Sequence, residues 1–382
     1  MLEHLPPRVY WTLLTAAFVF GCCVGSYLNV VIYRLPLGLS THEPKRSFCP
    51  LCKYAIPFWH NIPLFSWLIL RARCANCKSP IPVRYPIVEL LTGLLFAAAM
   101  LRFGYDWKVF AAFTFLALCV AGSYIDVDHQ ILPHEITWGG AAAGLVASAL
   151  IPLPLHGFEG TWWMNLLYSL GSAVLGYALI WVVIQLGKLA FGKLKFKFEE
   201  PTAWSVQQPE GSLEPVLKVG DQEELWSEIF SRRSDRLVVQ ATSALLGETH
   251  YGPCVLKISE DSVTVTPEGG ESVTLPLENI PAMSGSCLAL EQPREAMGLG
   301  DANWMACVGA FLGWKAVLFA IFGGSILGAT VSLLMILLGR REWAGRIPFG
   351  PYLAAGAVIW LFTGPEFLEW YLALARGPAV GP

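Results

Sequence analysis

Apolar residues run along this chain in long blocks, with polar and charged residues gathered between them. Eight blocks approach the roughly 20 apolar residues that a bilayer-spanning helix requires. They cover about 10–31, 86–102, 106–125, 137–153, 163–187, 304–322, 324–338 and 350–374. The sixth and seventh share one tract, and a tight turn at Gly323-Gly324 is what divides them. A different pattern fills the interval after the fifth block. Residues 254–258, 262–266 and 272–275 alternate as half-buried strands do, and Pro267-Glu268-Gly269-Gly270 reads as a hairpin turn. Upstream, the stretch 221–230 starts at Asp221, is rich in acids, and is followed by Arg232-Arg233, which matches a helix and its dipole. The pattern predicts an all-α polytopic membrane protein of about eight transmembrane helices, interrupted by a soluble α+β insert.

Composition points the same way. The chain is 54% hydrophobic and 14% charged, whereas an ordinary soluble domain carries about a quarter charged residues. A wholly soluble protein is excluded.

Charge then gives the blocks a direction. The segment 32–85 holds Arg34, Lys45, Arg46, Lys53, Arg71, Arg73, Lys78 and Arg84, with Glu43 its only acid. Arg340, Arg341 and Arg346 follow the seventh block, and the opposite side shows only Arg8, Arg102, Lys108 and Arg376. The positive-inside rule puts the 32–85 loop in the cytoplasm and both termini outside. Arg8 stands alone before the first block, so that block reads as a permanent anchor and not as a cleavable signal. Gly21, Gly25 and Ser26 give it a small-residue face suited to close helix packing. Between 199 and 291, 16 acidic residues stand against five basic ones, so the insert is an acidic module in a basic host.

Two cysteine pairs lie in the basic loop, Cys49-Pro50-Leu51-Cys52 and Cys74-Ala75-Asn76-Cys77, with 21 residues between them. Each pair forms a short knuckle that presents two thiolates, and two knuckles complete a tetrahedral four-sulfur shell. A reducing cytoplasm disfavours disulfides, and a full shell leaves no open coordination position. Structural zinc on Cys49, Cys52, Cys74 and Cys77 is the expectation. Cys22, Cys23, Cys119, Cys254, Cys287 and Cys307 are scattered and read as packing residues. The domain division follows: 1–31 the first anchor, 32–85 the cytoplasmic zinc-binding loop, 86–190 helices, 191–296 the soluble cytoplasmic insert, and 297–382 the remaining helices.

Ionisable residues inside apolar blocks are the second chemical signal. Glu89 lies one turn into the second block, either as a functional group or as a salt-bridge partner of a nearby arginine. Asp126 ends the third block, with Pro133 seven residues on, and Asp301 heads the sixth in Gly298-Leu299-Gly300-Asp301. Both fall on the cytoplasmic face that Lys and Arg alone define. Two neighbouring carboxylates titrate apart, so one can hold a proton while the other activates water. Asp128, two residues further out, reads as solvated charge, and His129 as a surface residue. Taken alone, Gly298–Asp301 also fits a glycine-rich helix entry with aspartate as its cap.

These motifs, in this order, resemble the bacterial prepilin peptidases. Those are bifunctional leader peptidases and N-methyltransferases of type IV pilus and type II secretion systems, related in motif to the GxGD-type membrane aspartic proteases. The resemblance is carried by Gly21-Cys22-Cys23-Val24-Gly25-Ser26-Tyr27-Leu28-Asn29-Val30 through Arg34-Leu35-Pro36 and by the two cysteine pairs. It continues through Arg84-Tyr85-Pro86-Ile87-Val88-Glu89-Leu90, Asp126 with Pro133, Gly298–Asp301 and Gly309-Ala310-Phe311-Leu312-Gly313-Trp314-Lys315. Most of the chain outside about 190–296 is covered. The resemblance implies that Asp126 and Asp301 are the catalytic pair, with Asp126 preferred to Asp128 by the proline spacing. It implies prepilin or pseudopilin precursors as substrates, each with a short basic leader before an apolar helix. Cleavage would follow a glycine, with methylation of the new amino terminus from S-adenosylmethionine. Membrane lipid is the other partner implied, no nucleic acid is, and the location is the bacterial inner membrane with the active site facing the cytoplasm.

Asn303 stands where the family usually has lysine, and His134 where aspartate or asparagine is common. The aspartates are 175 residues apart, which exceeds the usual family spacing. Within the insert, Arg232 and Arg236 have the spacing of a cyclic-dinucleotide-binding barrel's arginine motif, but Lys257 and Ser262 depart from its other signature. A docking or spacer domain fits better. The rival reading is a zinc-knuckle membrane scaffold or transporter with Glu89, Asp126 and Lys315 as intramembrane charges. It leaves two aspartates at cytoplasmic helix mouths unexplained.

Overall fold

The computed structural model of the chain describes residues 6–43, 47–49, 51–151, 154–191, 193–208, 214–220, 222–230, 235–280, 282–293, 298–338 and 348–376. Two compact units share it: Met1–Trp181 with Gly298–Pro382, and Val182–Met297.

The first unit is helical. Its elements are α1 (Pro7–Arg34), α2 (Phe65–Ile69), α3 (Arg84–Phe103), α4 (Lys108–His129), α5 (His134–Leu150), α6 (Trp162–Phe191, whose end enters the second unit), α8 (Leu299–Leu337) and α9 (Gly350–Arg376). Five helical stretches, Arg8–Leu37, Arg84–Phe103, Lys108–His129, Trp162–Gly187 and Leu299–Leu337, are long and apolar enough to cross a membrane. The chain is a multi-pass membrane protein. With 17 residues, α5 falls just short of that length.

Of the five, α4 is by far the most enclosed, with 67% of its apolar window buried against 39% or less in the others. It is the central post of the bundle. Phe113 stacks on Phe96 of α3 at 4.1 Å, and Phe115 meets Trp304 and Phe311 of α8 at 6.5 and 5.3 Å. The small-residue face of α1 does what its pattern suggested. A Cβ on Gly21 would lie 2.8 Å from the Gly93 Cα, and one on Gly25 would lie 2.7 Å from the Glu89 Cα, so α1 and α3 touch backbone to backbone.

The interruption in the sixth apolar tract lies elsewhere than expected. The helix passes through Gly323-Gly324 unbroken and kinks at Gly313, where φ is 81° and ψ is 172°. Glycine alone adopts that region without strain. His156 and Tyr168 wedge against it, and a Cβ there would stand 3.0 Å from each. Gly324 instead lets α9 approach, since a Cβ on it would lie 2.9 Å from the Tyr352 carbonyl oxygen. His156 is locked in place: Nδ1 accepts the Phe158 N–H at 3.2 Å and Nε2 pairs with Ser148 Oγ at 3.1 Å. Burial pushes its pKa down to about 4, so the wedge is neutral.

The second unit is strand-rich. Its strands are β1 (Lys193–Gln207), β2 (Val216–Val219), β3 (Gln222–Leu225), β4 (Leu237–Leu246), β5 (Thr249–Tyr251), β6 (Cys254–Ile258), β7 (Ser262–Pro267), β8 (Val273–Pro276) and β9 (Met283–Pro293). Among the described residues they form one antiparallel sheet in the order β3-β2-β1-β9-β4-β6-β7-β8, with β5 on β4. The three expected strands are β6 to β8. The helix expected over 221–230 is not what forms. Gln222–Leu225 pairs with β2, Val216 opposite Leu225, and Glu223 binds Lys218 at 2.9 Å across the ladder. Only the short α7 (Trp226–Ile229) remains helical. Asp221, Arg232 and Arg233 lie outside the described residues, and so does half of the arginine pair noted above. Alternate residues such as Leu237, Val239, Leu256, Ile258, Val263 and Val265 build the core around Trp204.

Candidate active site and cysteine centre

Asp126 sits one turn before the end of α4. Gln130 takes a left-handed conformation at φ 54°, and its N–H closes on the Asp126 carbonyl at 2.9 Å. The chain then turns through Ile131 and Leu132 to Pro133, which caps α5. The seven-residue interval from aspartate to proline is therefore a complete helix–turn–helix corner. Leu132 at its tip packs on the start of α8, where a Cβ on Gly300 would lie 3.1 Å from the Leu132 Cβ. That corner brings Asp126 close enough to Asp301 for their side chains to interact electrostatically.

Both carboxyl groups are nearly enclosed, with Asp126 6% and Asp301 8% exposed. The Asp126 Oδ2 accepts the Gly350 N–H at 2.9 Å, from the first residue of α9. Asp301 is the third residue of α8 and lies within backbone hydrogen-bonding reach of Gly298, the cap residue, as in half of a capping box. Asp128 is placed differently. It pairs with Arg84 near the surface, both side chains about a third exposed. His129 and His134 are exposed, whereas Asn303 is buried on α8 two residues past Asp301. Lys315 lies 6.0 Å from the Trp314 ring.

Glu89 is held by a main-chain N–H and a hydroxyl, not by the arginine that a salt bridge would require. Its Oε2 accepts the Leu64 N–H at 2.8 Å, and Ser26 of α1 hydrogen-bonds the same carboxyl. Leu64 has φ 63°, so this part-buried bond holds a strained residue of the cysteine-bearing loop against α3.

In that loop the two knuckles repeat one hydrogen-bond scheme. Cys49 N–H donates to the Tyr54 carbonyl at 3.0 Å, Lys53 N–H to Cys49 at 2.9 Å and Ile56 N–H to Ser47 at 2.8 Å. Twenty-five residues on, Cys74 bonds Ser79 at 2.8 Å, Lys78 bonds Cys74 at 3.1 Å and Ile81 bonds Ala72 at 2.7 Å. Lys53 and Lys78 share a left-handed φ, 57° and 59°. The four sulfurs all lie within 4.8 Å of one another, with Cys49 to Cys77 at 3.8 Å and Cys52 to Cys74 at 4.0 Å. A tetrahedral zinc at about 2.3 Å from each sulfur would set them roughly 3.8 Å apart, so the cluster has the size to hold a metal ion. Backbone N–H groups of Cys52 and Leu51 bring the Cys49 pKa down to about 6, which favours the thiolate that a metal requires.

Fold and site together define a multi-pass membrane protein with a buried, interacting carboxylate pair, the arrangement that aspartic proteases employ. Residues 112–197 and 277–333 match the Type IV leader peptidase family, and residues 19–103 match the Bacterial Peptidase A24 N-terminal domain. The chain belongs to the type IV leader peptidase family and is a peptidase. It is 32% identical over 363 residues to a prepilin leader peptidase/N-methyltransferase of Myxococcus xanthus, covering 92% of this chain and 73% of that protein. Proteins of the same description from Aeromonas hydrophila and Legionella pneumophila are 28% and 25% identical, each over 97% of this chain and 97% and 99% of their own lengths. No solved structure matches. The family match is interrupted between 198 and 276, inside the strand-rich unit.

Gly350 escaped the sequence reading. Its only signal is a glycine between Phe349 and Pro351 at the head of the last apolar block, and glycine offers no side-chain chemistry to notice.

Proposed function

We propose that this protein is a membrane aspartic endopeptidase that removes the leader from type IV prepilins or pseudopilins, with Asp126 and Asp301 as its catalytic pair. It then methylates the amino terminus it exposes. The reading rests above all on the meeting of two buried carboxyl groups from helices 175 residues apart in sequence.

Hydrolysis needs one carboxylate and one carboxylic acid. The carboxylate takes a proton from water as the water oxygen bonds to the scissile carbonyl carbon, and the acid gives its proton to the carbonyl oxygen. Collapse of the tetrahedral diol returns a proton to the second group and re-forms C=O. The C–N bond breaks as the departing amine takes the proton held by the first group. The pair is restored and one water is consumed. The freed amine is the nucleophile for methyl transfer from S-adenosylmethionine, the donor that the family resemblance implies.

Cys49, Cys52, Cys74 and Cys77 would hold structural zinc. Four thiolates leave no open position, so the ion shapes the loop and takes no part in hydrolysis. The loop and both aspartates would lie at the cytoplasmic face, a reading that the Lys and Arg asymmetry supports, and the membrane would be the bacterial inner membrane that the family resemblance implies. There they would meet a basic leader before its apolar helix has left the bilayer. The substrate and the surrounding lipid are the partners; nucleic acid is not among them. A scaffold or transporter role would explain buried charge but not a paired one.

Co-expression with a prepilin precursor tests the reading. Wild-type protein should yield a shortened, N-methylated product, and Asp126→Asn or Asp301→Asn should leave the precursor whole. Full cleavage by either variant contradicts the assignment.

A further inference from the structure

We propose that Gly350 is a positioning residue of the carboxylate pair: its main-chain N–H, at the start of α9, holds Asp126 beside Asp301. This rests on the reading of the pair as catalytic. The bond from Gly350 N to Asp126 Oδ2 is 2.9 Å long, buried, and joins residues 224 apart in sequence. The first N–H groups of a helix have no partner within it, and the positive end of the helix favours a carboxylate there. Pro348 and Pro351 have no N–H to offer. The N–H groups of Tyr352 and Leu353 both close on the Phe349 carbonyl, at 3.1 and 3.2 Å. Gly350 is thus left to bind the carboxylate, and Pro351 restricts the backbone that aims it.

The residue type is dictated by the same contact. A Cβ at position 350 would lie 2.7 Å from Asp126 Oδ2, 3.2 Å from its Cγ and 3.3 Å from Leu132 Cδ1. Any side chain there must push the carboxylate away from its place. Because the bond is made to Asp126 and not to substrate, its loss should slow chemistry and leave binding alone.

Two changes separate the bond from the packing. Gly350→Ala adds the clash. Glycolate at position 350, introduced by nonsense suppression, turns the amide into an ester and deletes the N–H without adding a carbon. Steady-state cleavage of a purified prepilin precursor by the full-length enzyme should show kcat reduced on the order of 10²-fold in both, with KM little changed. Adding Leu132→Ala to Gly350→Ala should not restore it. The ester enzyme decides the matter if Gly350→Ala does not accumulate in the membrane. A wild-type kcat in the ester enzyme overturns the inference, as does a loss confined to KM or rescue by Leu132→Ala. Asp126→Asn runs alongside: if it cleaves, the catalytic reading itself has failed. If it is inactive while the ester enzyme works normally, only the role of Gly350 is lost.

Discussion

The two units bury different things. The interior of the helical unit includes Asn29, Arg34, Glu89, Thr92, Asp126, Asp301 and Asn303, several of them ionisable. Among its described residues the strand-rich unit encloses an apolar cluster from Trp204 to Leu290, and its buried polar residues are only Ser259 and Gln292. Burying an ionisable group costs free energy unless the fold supplies partners. The helical unit does so with main-chain N–H groups, Gly350 to Asp126 and Leu64 to Glu89. One interior is arranged around polar groups that must be held, the other around side chains that need only be covered. The proposed reaction chemistry belongs to the first.

The largest effects should come from breaking that arrangement. Asp126→Asn or Asp301→Asn should reduce precursor cleavage by about 10³-fold or more, measured as the initial rate of leader release. Asp128→Asn, at a part-exposed ion pair, should keep most of the rate, because such pairs contribute about 1 kcal/mol or less. A smaller loss is expected from Cys49→Ser. It should lower bound zinc, measured by elemental analysis of purified protein, and destabilise the loop by several kcal/mol, roughly the scale of coupled metal binding and folding. The membrane helices should remain, and cleavage should fall only as far as the loop positions substrate. Protein that purifies without zinc would contradict the metal assignment.

The same contrast explains what the sequence could convey. Long apolar blocks and CxxC spacing are local signals, and the helices and the cysteine cluster follow from them. Asp126 and Asp301 were legible because a carboxylate ending an apolar run is conspicuous in one dimension. Gly313 and Gly323-Gly324 were not separable, since glycine serves both kinks and close helix crossings. The wedge of His156 and Tyr168, brought in from elsewhere in the chain, settles which is the kink. The stretch at 222–225 has the charge pattern of a helix start, yet pairing with β2 takes it into the sheet. Glu89 was visible as a charge, but its partner is a backbone N–H 25 residues away, which no residue type announces. Gly350 acts through its main chain and left no chemical mark at all.

Changes in the strand-rich unit should have the smallest effect on the reaction. Leu256→Ala removes a fully buried side chain from its core. It should cost that unit about 2–5 kcal/mol, seen as an earlier melting step, with leader cleavage unchanged below that temperature.

The most direct test removes the unit. Lys193 and Pro293 are opposite each other on β1 and β9, so the unit begins and ends on neighbouring strands, and a short bridge can close the gap. Enzyme in which 199–291 is replaced by a Gly/Ser linker should be extracted from membranes and incubated with purified prepilin precursor. Intact mass spectrometry should show the leader released at close to the wild-type rate, and no release when Asp301→Asn is added. A linker enzyme that inserts and folds normally yet leaves the precursor uncut would place part of the active site in the strand-rich unit and contradict the account.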